Sequence, residues 1–596
     1  MLRYDISPLD PEAHLFIVGI TIPQPTPGEQ FLRLPTWISG SYMIRDFSAH
    51  ILKEEAYIGD RSVPIEKVDK CTWRIPTVGR KEGEDLYVYY QVWAFDQSVR
   101  MAYLDDSRGF FNPGCVFMQA LGIAPNKILV NITPPVDEMH EQANEWQVAT
   151  SLPRAKATSR FGWGLYQASS YDELIDHPVE LGNFEVLTFK AHGVRHNAIF
   201  SCVPVNFDAQ RITDDLKAIC EAEIAFFEPD SLQAPVKEYN FLINVTSNQY
   251  GGLEHRASTA LFVPAKSLPC VHDKERSKDY VDFLGLCAHE YFHTWNVKRI
   301  KPAEFINIDF VRETPTNLLW LFEGFTSYYD SLFLLRAGVI GLSEYAELLT
   351  RDLKSVLETS AKEAQTLAQA SFDAWIKFYK PTANTVNANV SYYKQGALAA
   401  FVMDAALRNR SKGKKNLDDV MRLLWKQYKN SGEHYAGITE ASFYETVLDA
   451  TGIDLTDLIV QLTKTTEPID YAKYFKPLGI KLKETPVTRV RSMLGLAGKP
   501  SEAGFVITHV FDHEVAQWVG LAPGDVLIAI DGVRITRDNI ETLLTRYGAG
   551  DQMVVHAFRD DKLKAWVVLS GQRSAIKSTA VFAKKLPDLG KSWMVG

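Results

Sequence analysis

The sequence has no C-x-x-C pair and no regular cysteine spacing; its six cysteines, Cys71, Cys115, Cys202, Cys220, Cys270 and Cys287, are scattered through 596 residues. That excludes a disulfide framework, and the thiols read as reduced. No apolar run reaches the ~18 residues of a membrane helix. No block of lysines and arginines forms a stripe that could track phosphates, and the net charge of -9 is modest for this length. Neither a membrane nor a nucleic acid is therefore an expected partner. The opening MLRYDISPLDPEAHLF meets Asp5, Asp10, Glu12 and two prolines before any apolar stretch, unlike a secretory signal, so the expected location is cytoplasmic. Low-complexity tracts and repeats of fixed period are also missing. What remains is ordinary globular material, 46% hydrophobic and 23% charged, long enough for roughly three or four domains.

To about residue 170 the pattern is short alternating strands separated by turn residues, as in HLFIVGITI, DLYVYYQVWAF and NKILVNITP, which predicts an all-β domain. Strands continue in NFEVLTFKAHG and KEYNFLINVT, helical periodicity enters with DAQRITDDLKAICEAEIAFFE, and helices dominate from Ser277 to Thr451. After KPLGIKLKETPVTRV strands return. GLAPGDVLIAIDGVRI places turn signals on both sides of an apolar strand, which predicts a separate domain of ~90 residues.

The stretch CAHEYFHTWN carries His289 and His293 one helical turn apart, with Glu290 beside the first. On a helix, Asp282, Gly285, His289, His293 and Asn296 share a sector of about 80°, and apolar residues fill most of the rest. A helix that is buried nearly all round with one polar stripe needs partners for that stripe, because an unsatisfied buried polar group costs about 1 to 3 kcal/mol. Core packing would suffice for a lone histidine. Two imidazoles at i and i+4 can instead converge on one ion at ~2.1 Å, with Glu290 offset to reach a water held there.

A catalytic zinc takes a third protein ligand and keeps one open position. Glu323, in ETPTNLLWLFEGFTSYYD, is the candidate. Thr314 and Pro315 predict a helix start, and Thr316, Glu323, Ser327 and Asp330 then share a face among Leu318, Leu319, Trp320, Leu321, Phe322 and Phe325. A carboxylate in such surroundings is metal-bound or ion-paired. Asp330, two turns on, is placed to orient a ligand histidine from behind.

These residues resemble the gluzincin metallopeptidases, and HEYFHTWNVKRIKP resembles in particular the glycyl aminopeptidase family. PTWISGSYMIRDF, YGGLEH, FEGFTSYYD and SYYKQGALAAF are similar to that family's segments as well. The resemblance implies a multidomain α+β protein with an all-β domain over 1–170, a thermolysin-like catalytic domain with a helical lobe over 171–480, a PDZ-like domain over 481–575 and a tail over 576–596. It also implies a zinc peptidase acting on peptides with a free N-terminus: one Zn2+ on His289, His293 and Glu323, Glu290 as general base, and Tyr393 at the transition state, with its neighbour Tyr392 as the competing assignment. Glu254, behind Gly251 and Gly252 on an edge strand, would hold the substrate amine. The family pattern has lysine directly before the glycine where this chain has Gln395 before Gly396. The PDZ resemblance implies a site for a peptide C-terminus, with its loop around MLGLAG, Met493 to Gly498, or else a module that serves only as structure. An endopeptidase using the same zinc and a non-catalytic PDZ scaffold are the rival readings.

Overall fold

Apolar residues alternate along the first strands of the chain. In the structure, a computed structural model, Tyr4 and Ile6 of the strand Arg3–Asp10 and Phe16, Val18, Ile20 and Ile22 of the strand Leu15–Ile22 are all buried. Residues 1–135, 145–571 and 576–596 are described. They divide into two compact units: Met1–Thr314 with Ala337–Val339 and Trp425–Gly437, and Pro315–Arg336 with Ile340–Leu424 and Ile438–Gly596. The division at Thr314 falls inside the stretch 171–480 that the sequence reading treats as one domain.

The first unit begins with a seven-stranded sheet in the order 164–168, 128–132, 3–10, 15–22, 86–93, 51–58, 61–63. Only the pair Arg3–Asp10 and Ile128–Ile132 is parallel. A five-stranded sheet follows, ordered Glu185–Ala191, Val194–Ser201, Glu238–Thr246, Ser258–Pro264, Gly251–Glu254. Its three central strands are parallel and buried along most of their length, as strands covered on both faces are. The helix Ala209–Phe227 makes the crossover between two of them. Gly251–Glu254 is an edge strand, antiparallel to Ser258–Pro264, and its Leu253 packs into the core of the N-terminal β domain. Residues 425–437 also belong here: Trp425 Nε1 donates to Glu228 Oε1 at 2.7 Å, and Tyr435 Oη accepts from Lys301 N at 3.2 Å.

The second unit is mainly helical to residue 478. The helix Tyr392–Ser411, capped by Ser391 accepting from Lys394 N, is buried along most of its length. The helix Gly324–Arg336 crosses it so closely that a Cβ on Gly324 would lie 2.5 Å from Gly396 Cα. Strands Leu496–Ser501, Gly504–Val510, Val526–Ile530, Gln552–Arg559 and Lys562–Leu569 form one sheet with its own core, which includes Leu496, Ile507, Leu527, Val555 and Val568. The expected end of this small domain at 575 lies outside the described residues. The stretch 576–596 is not a tail. Ile576–Phe582 pairs antiparallel with Ile480–Pro486, and Asp588–Val595 is a helix whose Trp593 is fully buried. Trp593 Nε1 donates to Tyr328 Oη at 2.9 Å, and its ring stacks on Phe401 at 5.4 Å. An apolar pattern of one strand and two helical turns is too short to announce that docking from sequence. Among the described residues no helix is long and apolar enough to cross a membrane.

Trp593→Ala should cost about 3 to 5 kcal/mol, the usual range for emptying a buried aromatic site. Urea unfolding of the second unit, followed by fluorescence or circular dichroism, is expected to show that loss as a lower midpoint.

Candidate functional site

The helix Lys278–Phe292 starts where the sequence places it: Ser277 accepts from Tyr280 N, and Tyr280 Oη donates to Asp215 Oδ2 at 3.0 Å. Phe283, Leu284, Cys287, Ala288, Tyr291 and Phe292 are buried. The helix ends at Phe292, short of the Asn296 that the expected stripe includes, with His293 as its C-cap. Asn296 lies beyond it and serves through its backbone: its carbonyl is 2.7 Å from His293 Nδ1. The reason is a turn in which the His293 carbonyl accepts from both Val297 N and Lys298 N. With Nδ1 committed, His293 presents Nε2. The His289 and His293 rings stand 4.7 Å apart and nearly perpendicular.

Glu290 is buried, with Gly252 directly opposite: a Cβ on Gly252 would lie 2.1 Å from Glu290 Oε1. Glu254 is 3% exposed, and its Oε1 has no hydrogen-bond partner among the described residues. Gly40, from PTWISGSYMIRDF, packs against that carboxylate with φ +88; a Cβ there would lie 2.4 Å from Oε2. Ligand atoms of Glu254, Glu290 and His293 fall within 4.8 Å of one another. Gly251 has open space around its Cα. The two expected glycines thus differ: Gly252 makes room for a side chain, while Gly251 leaves the strand accessible.

Behind the edge strand, Asp176 gathers Lys298 Nζ at 2.8 Å, His255 Nδ1 at 3.1 Å and Arg256 Nε at 3.2 Å. Burial would raise the Asp176 carboxyl, but Lys298, His255 and Arg256 together hold it well below the usual carboxylate range. Lys298 Nζ also donates to the Glu254 carbonyl at 3.5 Å.

In the second unit the helix expected from Thr314 starts at Leu319. Thr316 Oγ1 accepts from Leu318 N at 3.3 Å, a local turn that competes with the helix. Glu323, 2% exposed, joins two helical pieces, Leu319–Phe322 and Gly324–Arg336. Tyr392 and Tyr393 open the helix Tyr392–Ser411 with rings 4.7 Å apart. Tyr392 is fully buried; burial first, then Tyr379 and Glu323, push its hydroxyl well above the usual range. Tyr393 is half-buried. Asp330 accepts from Ser331 Oγ, and its charge acts on Asp352 and Lys394. Of the three expected ligands, His289 and His293 belong to the first unit and Glu323 to the second.

Residues 3–183 match the family described as the Peptidase M61 N-terminal domain, and residues 282–399 match M61 glycyl aminopeptidase. A crystal structure of an aminopeptidase N family protein from Idiomarina loihiensis is 34% identical over 100% of both chains, with a TM-score of 0.93. The chain belongs to the M61 peptidase family. More distant are the M1 zinc metallopeptidase from Deinococcus radiodurans, at 13% identity over 79% of this chain and 95% of that one with a TM-score of 0.46, and yeast LTA4 hydrolase in complex with bestatin, at 14% over 78% and 68% with a TM-score of 0.48. Among curated proteins none matches.

In this M61 peptidase three features escaped the motif reading: Gly40 against Glu254, the Asp176 cluster, and the Gly324 and Gly396 crossing beside Glu323. The first two join residues far apart in sequence, so no local spacing announces them. The third had one signal, a glycine inside each of two strongly helical stretches.

Gly252→Ala should leave the fold stable, because the atom it meets is the end of a flexible side chain, yet it must displace the Glu290 carboxylate. The expected result is an unchanged melting temperature, with kcat on a peptide substrate lower by roughly a hundredfold if Glu290 is the general base that the sequence implies.

Proposed function

We propose that this M61 peptidase is a zinc aminopeptidase. The observation that carries the reading is Glu254: a buried carboxylate with an oxygen that has no partner among the described residues, within 4.8 Å of Glu290 and His293, on an edge strand. An ammonium group is a fitting partner for such an oxygen, and a substrate amine held there limits cleavage to the first peptide bond.

The donor set of His289, His293 and Glu323 has the nitrogen and oxygen chemistry and the ligand number that zinc takes in catalytic sites, and the carbonyl of Asn296 on His293 Nδ1 is the kind of outer partner that fixes a ligand imidazole. Zinc bound there supplies Lewis acidity toward the attacking water and the scissile carbonyl. Glu290 takes the proton of the water and hands it to the leaving amine. Tyr393 donates to the carbonyl oxygen as it gains charge, and Tyr392, fully buried, packs behind it. Asp330 acts from outside the ligand set. Gly251 and Gly252 keep the strand open for backbone pairing with an extended peptide.

The preference for glycine that the family name carries, and a PDZ role for residues 490–570 with Met493 to Gly498 as carboxylate loop, remain proposals on the same footing. Gly495 at φ +71 before the strand Leu496–Ser501 suits such a loop.

Glu290→Gln should keep its zinc and lose at least about a hundredfold in turnover; activity within tenfold of wild type, with zinc measured by elemental analysis, defeats the base assignment. Glu254→Ala should lose roughly tenfold to a hundredfold in kcat/KM. It should also lose the preference for free over N-acetylated peptides. An unchanged ratio of those two rates would favour an endopeptidase.

A further inference from the structure

Past the carboxyl ends of the parallel strands Val194–Ser201 and Glu238–Thr246, where open α/β sheets gather ligands, the first unit has a cavity of about 250 Å³. Tyr103, Asp105, Ser107 and Arg108 of the β domain line one side, and Cys202, Asn244 and residues 245–249 line the other. The charges are matched within the protein. Arg108 holds Glu180 through Nε at 2.9 Å and Nη2 at 2.7 Å, and Asp105 accepts from Tyr103 Oη, Ser107 Oγ and the backbone N–H groups of Ser107 and Arg108. Burial pushes the Cys202 thiol up and keeps it neutral. The group left over is neutral as well. Asn244 is 5% exposed, its amide makes no hydrogen bond among the described residues, and it is not sealed off from the cavity. An amide offers donors and an acceptor side by side, which two neighbouring hydroxyls on one ligand satisfy. An ionic ligand would find no free counter-charge here, and of the lining residues Val245 alone is aliphatic.

The surface beside the cavity is a strip of aromatic rings. Along the strand Leu86–Trp93 and the segment after it, Val88, Tyr90, Val92 and Ala94 are buried, while the alternate positions Tyr87, Tyr89, Gln91, Trp93, Phe95 and Gln97 face outward. Tyr89, Trp93 and Phe95 are exposed. The strand is paired on both sides, so it offers rings and no free backbone edge to a peptide. Gly19 stands opposite Tyr89, and a Cβ there would lie 3.1 Å from the Tyr89 ring; a glycine in mid-strand thus makes the room in which that ring lies against the sheet. The residues paired with Tyr87, Tyr89, Gln91 and Trp93 carry a single charge, Glu55, which accepts from Tyr57 Oη at 2.9 Å. A nucleic acid would meet no cation on them. The strip runs into the cavity: Gln97 lines it, and Phe95 stacks at 5.3 Å on Tyr103, which lines it too.

A sugar ring has an apolar C–H face and a rim of neutral hydroxyls, one suited to aromatic rings and the other to amides. We infer that the cavity and the strip together bind a neutral oligosaccharide, a terminal sugar on Asn244 and the following sugars over Trp93 and Tyr89. None of these residues belongs to the cleavage machinery, so the site is a second function of the first unit and stands apart from the aminopeptidase reading.

The test is calorimetric titration of the full-length zinc enzyme with three neutral hexasaccharides, maltohexaose, cellohexaose and chitohexaose, and with deca-proline as a peptide that also packs on aromatic rings. At least one of the sugars should bind saturably at one site per chain, and deca-proline more weakly by about tenfold or more. Trp93→Ala, Tyr89→Ala and Asn244→Ala should each weaken the sugar by at least about tenfold, and Trp93→Phe should retain it within about threefold. All four variants should keep wild-type turnover of a peptide substrate, which shows that they are folded; Trp93 and Tyr89 are exposed, so the result does not hang on the buried Asn244. Saturable binding by none of the three sugars, equal sugar binding by Trp93→Ala, or tighter binding of deca-proline than of any sugar overturns the inference.

Discussion

The ion cluster around Asp176 is the interaction that the first unit depends on. It joins three segments remote in sequence: the β domain through Asp176 itself, the end of the edge strand through His255 and Arg256, and the turn after the histidine helix through Lys298. Taking Asp176 away would leave the buried Lys298 ammonium without its counter-charge, a loss typically of about 3 to 5 kcal/mol. The helix that carries His289 and His293 and the strand that carries Glu254 are thereby fixed to one carboxylate, and their spacing follows from it.

Space is the second constraint. A buried carboxylate needs room as well as partners, and here the room is made by glycine: Gly252 for Glu290, Gly40 for Glu254. At Gly40 the left-handed φ of +88 adds a conformational reason to the steric one. Gly324 and Gly396 do the same for two helices, whose backbones meet at the helix joint that presents Glu323. Removing a side chain at each of these points lets a polar group sit where packing would otherwise exclude it.

The parts of the molecule legible in sequence are those whose signal is local. The alternation in HLFIVGITI, the cap at Ser277, the i and i+4 histidines and the edge strand YGGLEH each lie within a dozen residues, and the structure has them. Where the expectation departs from the structure, a competing local or distant partner wins. Thr316 makes its own turn and delays the helix to Leu319; the His293 carbonyl takes two N–H groups and ends the histidine helix before Asn296. The stretch 576–596 reads as a tail because its partners, Ile480–Pro486 and the Tyr328 and Phe401 rings beside Trp593, are far away in sequence.

That last pairing changes what the small sheet domain is. The strands Ile480–Pro486 and Ile576–Phe582 enter and leave it side by side, hydrogen-bonded along seven residue pairs. It is an insertion at the end of a two-strand ribbon, anchored beyond by the docked helix of Trp593. Asn387 adds a further attachment, its Nδ2 donating to the Val510 carbonyl at 2.8 Å and its Oδ1 accepting from Asp512 N at 3.0 Å. Severing one of the domain's two chain connections would leave it still held by the other and by Asn387.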